Sequence, residues 1–283
     1  MFTKTLYRSF TTLALAGVCA GGLAFTGEAN ADAGGDLMFY VNPSDSTELK
    51  VGRYDFDGGT GAVLESETEP VIIAEMEPSW EFSPNPGTDE PGLTTDGALQ
   101  SGPTPDPDGQ SPSFPFPADT ALIATANVLP VLGVDLAYWD GDGAVSFGAT
   151  PQSIIVESPF SPGPLEEEFV FDGDGVAPSG QMAPWQSLGD GTNHDHFEFL
   201  SPLDNASTTP GIYLFSLTFE AGGAVSEPLY FLLGYADGVE LTDVQLDSAL
   251  ELAEGYVENV IIPEPASAML LAAAGGLALI RRR

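Results

Sequence analysis

The sequence predicts a mainly β protein: an antiparallel β-sandwich or jelly-roll-like domain with one helix near its C-terminal end and a short apolar helix at each terminus. Three observations lead there. Short apolar runs are separated throughout by Gly, Pro and Asp, the punctuation of turns between strands. A helical period emerges once, late in the chain. The only cysteine, Cys19, falls in the N-terminal apolar run, so the body must hold together without disulfides or thiolate metal sites.

The strands follow in order. Residues 37–41 (LMFYV) form a buried-type run, 49–56 alternates, and 71–74 is apolar. Residues 121–124, 136–139, 145–147 and 153–156 come next, then 197–200, 211–219 and 229–235. Residues 84–117 are rich in Pro, Gly, Asp, Ser and Thr and read as a long, partly disordered excursion from one sheet. A boundary between two domains is the lesser reading, because residues 32–83 are too few to hold a core alone. Thr242 and Gln245 have capping-box spacing, and Leu246, Ala249, Leu250, Ala253, Val257 and Val260 then recur at helical spacing. A helix over 243–259 follows, weakened at Gly255. Strand lengths and spacings are too irregular for a solenoid or propeller.

Charge narrows the function. The net charge is -35, and of the 7 basic residues only Lys50 and Arg53 lie away from the termini. Such a body repels phosphate backbones and anionic headgroups, which excludes nucleic acid as a partner. Two readings of the acidity remain: solvation, or capture of divalent cations by carboxylate clusters.

The termini are more specific. Lys4 and Arg8 precede a short apolar core at 11–25, and Ala29-Asn30-Ala31 is a small-x-small cleavage site. This is a secretory signal over 1–31, with Asp32 as first mature residue and the secretion machinery as partner. At the other end Pro263-Glu264-Pro265 precedes an uncharged apolar run, 266–280, and Arg281-Arg282-Arg283 closes the sequence. As a helix this run would reach about 22 Å, short of the ~30 Å hydrocarbon core. A helix so marginal, with Gly275-Gly276 within it and a cationic stop behind it, suits a transient anchor.

These last residues resemble the PEP-CTERM sorting signal: Pro263, Glu264, Pro265, Ala266 and Ser267, the Leu/Ala/Gly-rich run, and Arg281, Arg282 and Arg283. The resemblance covers residues 263–283 alone. Its specificity comes from three unlike elements in fixed order, paired with an N-terminal signal. It implies recognition by an exosortase, a membrane protease-transpeptidase thought to cut near the Pro-Glu-Pro motif. It also implies a bacterium that makes exopolysaccharide. Tails of this form are also labelled an ice-binding-protein C-terminal domain, which implies no ice binding. The tail implies nothing about the ectodomain, residues 32–262, because such signals are joined to unrelated bodies.

Within the body, His194, His196 and Glu198 share one face of an extended segment, with Phe197 and Phe199 on the other. Two imidazoles and a carboxylate could ligate zinc with a fourth group from elsewhere. The alternative is a solvent-facing strand with both phenylalanines in the core. The H-x-H pair is similar to that of cupins, yet the strand after Pro210-Gly211 offers Tyr213 and no histidine. Three D-x-D-G segments, at Asp55/Asp57, Asp140/Asp142 and Asp172/Asp174, match the opening of calcium loops. None continues with the remaining ligands, so hairpin turns are the default and calcium the alternative. Trp80, Phe114, Phe116, Tyr138, Trp139 and Trp185 would serve either carbohydrate stacking or core packing. No Gly-x-Ser-x-Gly, Walker loop or HExxH occurs. The expectation is therefore a non-enzymatic, exported envelope or extracellular-matrix protein, held briefly at the membrane and then processed. Surface metal binding and carbohydrate binding are the rival readings.

Overall fold

A computed structural model describes residues 35–41, 45–55, 70–78, 84–89, 91–95, 120–158, 165–186 and 194–262. The expected signal segment with Ala29 and Ala31 lies outside these residues, as does the tail with Pro263, Glu264, Pro265 and Arg281, Arg282 and Arg283. The described residues are mainly β, with mixed and antiparallel sheets and one C-terminal helix, α1 (Asp243–Tyr256).

Three sheets are present among the described residues. The first joins β11 (His194–His196), β5 (Gly92–Thr95), β1 (Gly35–Val41) and β2 (Leu49–Asp55) in that order. The second has the path β10 (Met182–Gln186), β6 (Ala121–Ala126), β13 (Gly211–Ala221), β15 (Leu229–Tyr235) and β3 (Val71–Met76). Two short strands, β7 (Ala137–Trp139) and β14 (Ala224–Val225), also pair with β13. The third joins β4 (Gly87–Thr88), β12 (Glu198–Leu200), β8 (Ile154–Glu157) and β9 (Glu168–Phe171).

Two pairings correct the expectation of a wholly antiparallel fold. β1 runs parallel to β5, and β15 runs parallel to β3. A parallel partner needs a crossover rather than a tight turn, and β3 and β15 are separated by most of the domain. The stretch read as one long loop from Pro84 opens with two strands, β4 and β5; its later residues lie outside those described. The run at 145–147 forms no strand, although Phe147 is buried. The helix ends at Tyr256, one residue after Gly255, and gives way to a wide π-type turn, Val257–Ile261. At its start the Gln245 side-chain oxygen accepts the Thr242 N–H at 3.1 Å and its hydroxyl at 2.7 Å. Among the described residues, no helix is long and apolar enough to cross a membrane.

The seven-stranded sheet separates two cores. Alternation sends Phe215, Phe219, Phe231 and Leu233 to one face and Ile212, Leu214, Tyr230 and Leu232 to the other. β15 is accordingly buried at all 7 residues, the continuous apolar pattern of a strand covered on both sides. On the first face the rings interlock across all three sheets. Phe215 stacks on Phe231 at 5.1 Å and packs on Phe171 at 4.7 Å, while Phe39 meets Phe219 at 4.8 Å. Such pairs contribute beyond their buried area. On the second face α1 presents Leu246, Ala249, Leu250 and Ala253, all buried. It comes so close that a Cβ on Gly234 would lie 2.9 Å from Leu246 Cδ1. Glycine at 234 is thus a packing requirement rather than a turn.

Candidate functional site

The closest grouping of candidate metal ligands among the described residues is Asp135, Asp172 and Asp174, with ligand oxygens all within 4.8 Å of one another. It contains one of the D-x-D-G segments. That segment follows β9, and two left-handed glycines, Gly173 (φ 80°) and Gly175 (φ 86°), bend the chain into the 133–136 segment. A Cβ on Gly175 would meet the Gly133 carbonyl oxygen at 2.9 Å, and one on Gly173 would meet Thr150 Cγ2 at 2.7 Å. Both positions need glycine twice over, for the backbone angle and for the approach.

Asp135 closes the loop from beneath. Its side chain is fully buried, Oδ2 accepts the Asp172 N–H at 3.1 Å, and Oδ1 accepts the Gly175 N–H at 3.3 Å. Asp172 and Asp174 in turn accept the N–H groups of Asp174 and Val176, at 3.0 and 2.7 Å. The four bonds account for the geometry as a clamp on a surface turn. In cation chemistry the three carboxylates are hard oxygen donors suited to calcium, which takes six to eight such ligands. Sequence reading found Asp172 and Asp174 by motif but missed Asp135, which stands 37 residues earlier without a motif of its own.

The other two motif copies differ. Asp140-Gly141-Asp142-Gly143 makes a plain turn after β7, with the Asp142 N–H on Asp140 Oδ1 at 3.1 Å. The Asp140 turn lies within a local antiparallel reversal, closed by paired backbone bonds between Tyr138 and Gly148, whereas the Asp172 turn connects β9 to β10 in another sheet. Asp57 lies outside the described residues.

The residues of the expected zinc face lie on two strands. His194 and His196 belong to β11 in the first sheet, and Glu198 to β12 in the third, with the break at Phe197. Phe197 and Phe199 are both fully buried, as the packing alternative required. His196 Nδ1 donates to the Asp89 carbonyl at 2.8 Å and lies 3.8 Å from the Asp89 carboxylate. Glu198 instead stands opposite Glu157, which stands opposite Glu168 on the next strand. Burial raises the Glu157 carboxyl above its ordinary range, with Glu198 and then Glu168 adding to the shift. The arrangement is a row of like charges across three strands. The His194 side chain is outside the described residues.

The aromatic candidates divide likewise. Trp139 is buried and packs edge-on against Phe147 at 6.5 Å. Tyr138 donates its hydroxyl to the Pro210 carbonyl at 2.6 Å, and burial, followed by Asp140 and Glu240, pushes its phenol up to about 12. Tyr213 and Tyr235 hold the same connection through the carbonyls of Thr209 (2.6 Å) and Asn205 (3.1 Å). These rings are committed to the fold rather than to a sugar. Trp80, Phe114, Phe116 and the Trp185 side chain lie outside the described residues. No protein-family model matches the chain, and no curated protein matches it.

Proposed function

We propose that this chain is an exported cell-envelope or extracellular-matrix protein, delivered to an exosortase-like membrane enzyme by residues 263–283, with a sandwich-like ectodomain that performs no catalysis. One observation carries the reading: Pro263-Glu264-Pro265, an uncharged apolar run and three terminal arginines occur in that order, in a chain that opens with a secretory signal. The run is too short to sit comfortably across a bilayer, and the arginines hold its cytoplasmic end.

The body supports this reading in two ways. Among the described residues its packed core reaches Ile261, two residues before Pro263. Its three sheets share one phenylalanine-rich cluster, which supports a sandwich-like arrangement. The acidic surface suits an extracellular matrix that includes exopolysaccharide and bridging cations.

The test is expression in a host with and without its exosortase. Wild-type protein should leave the membrane fraction only where the enzyme is present. A Pro265→Ala variant should stay in the membrane fraction in both hosts. Release that is equal in both hosts would overturn the proposal.

A further inference from the structure

Ten large apolar side chains stand exposed among the described residues, and in so acidic a chain eight of them have an Asp or Glu within two positions. Val128 and Val131 are the exceptions, and the sequence carries no charge at all from Ala121 to Val134. Strand β6 takes the first six of those residues, and the rest lead into a turn between β6 and β7. Its own backbone closes that turn: the Leu129 N–H donates to the Val134 carbonyl at 2.7 Å, and the Gly133 N–H to the Leu129 carbonyl at 2.8 Å. Leu129 is buried in the helix-side core, and Leu132 and Val134 pack against it. Pro130 and Val131 are left at the tip, with Val131 54% exposed. An apolar tip fixed in this way is unfavourable in water and favourable against an apolar partner.

The place where the chain leaves the domain points to that partner. Val257 and Ile261 are fully buried in the same helix-side core, and Tyr256 packs on Phe147 at 5.9 Å. The exit at Ile262, which also packs on this core, is therefore fixed to the body rather than hung on a tether. Residues 263–265 span at most about 11 Å when fully extended, and the uncharged apolar run begins immediately after them. With that run anchored in a bilayer, as the sorting proposal has it, the exit face lies against the membrane surface. The turn's Leu132 and Val134 flank the same core as Ile262.

We propose that the turn at 128–133 is a membrane-contact site, whose Val128, Pro130 and Val131 dip into the interfacial layer of an uncharged bilayer surface while the tail is anchored. The contact rests on the anchored tail of the sorting proposal and adds to it a second point of attachment, shallow and reversible. Anionic lipid is disfavoured. The 172–175 loop packs behind the tip, where a Cβ on Gly175 would lie 2.9 Å from the Gly133 carbonyl oxygen, and it carries the exposed Asp172 and Asp174. Two points of attachment fix the body's orientation and hold Pro263-Glu264-Pro265 at the membrane surface.

The test uses the full chain in a Cys19→Ser background, with an environment-sensitive fluorophore on Val131→Cys, in phosphatidylcholine nanodiscs at one copy per disc. The label should shift to the blue and be quenched by lipids spin-labelled near the headgroup. The same label on Val239→Cys, 84% exposed and flanked by acids, should do neither. Val128→Asp or Pro130→Asp should each lower the docked-to-undocked ratio roughly tenfold, the weight of one buried apolar side chain. A label on Ala272→Cys, read with acyl-chain spin labels, reports the tail separately. Quenching at 272 with none at 131 would overturn the contact and leave the sorting proposal standing. So would a blue shift at 131 that no lipid quencher reaches, the mark of a protein occupant such as the tail or a second copy, or quenching that strengthens with phosphatidylglycerol. No quenching at 272 would remove the anchored tail, and the contact with it.

Discussion

The folded body and the C-terminal tail are built on opposite principles. The body carries nearly all the acid and, among the described residues, buries eight phenylalanines in a cluster joining three sheets. The tail after Ile262 has one acid, an uncharged apolar run and three arginines. In the body each side chain is specified by its neighbours, and a change is read out as stability. On the sorting proposal, the order of chemical types in the tail carries the information, and a change is read out as destination. Changes in one region should therefore leave the other's readout untouched.

The largest effect expected is in the tail. Replacing Arg281, Arg282 and Arg283 by alanine, or Pro265 alone, should abolish release from the membrane while leaving the melting temperature of the body within error. A shifted melt would show that the two regions are coupled.

Next comes the body's core. Phe215→Ala removes a ring that stacks on Phe231 and packs on Phe171, and should cost about 3–5 kcal/mol in urea unfolding. Tail processing of the surviving folded fraction should be unchanged.

The two D-x-D-G turns offer a finer contrast. Asp135→Ala leaves the N–H groups of Asp172 and Gly175 without their buried acceptor and should cost about 2–3 kcal/mol. Asp140→Ala removes one exposed turn bond and should cost about 0.5 kcal/mol. Equal costs would mean that the Asp135 clamp contributes nothing special.

The smallest effects concern titration. The folded domain holds the Tyr138 phenol up at about 12 against an ordinary value of 10.0. A raised value means that the folded state keeps the proton after the unfolded chain has lost it. This stabilisation is complete below pH 10.0 and disappears as pH rises through about 12. Tyr138→Phe should reduce the loss of stability seen in that window. Glu157→Gln should relieve the row it forms with Glu198 and Glu168, with a gain of about 0.2–1 kcal/mol at neutral pH that fades on acidification.

Much of the body was legible because its strands are long enough to show a period. β13 and β15 were located within two residues, and the helix start was marked by Thr242 and Gln245. Two-residue strands such as β4 and β14 have no period to show. β10 contains Pro184, which argues against a strand; as an edge strand paired only with β6 and shifting register between Met182 and Trp185, it tolerates the missing donor. The parallel pairing of β3 with β15 is a relation between distant segments that no local pattern records. The surroundings of the sites were hidden for the same reason. D-x-D-G is local and was seen, whereas Asp135 and Asp89 act from elsewhere in the chain. His196 and Glu198 keep the alternation with buried Phe197 and Phe199, but they pair in different sheets, a change of partner that residue spacing does not record.

Mass spectrometry of the exported protein's C-terminus, purified from a host that carries an exosortase, tests the central claim most directly. The account predicts a mature chain ending near Pro263-Glu264-Pro265, without the apolar run or Arg281, Arg282 and Arg283. A mature chain that still ends in the three arginines in that host would contradict it.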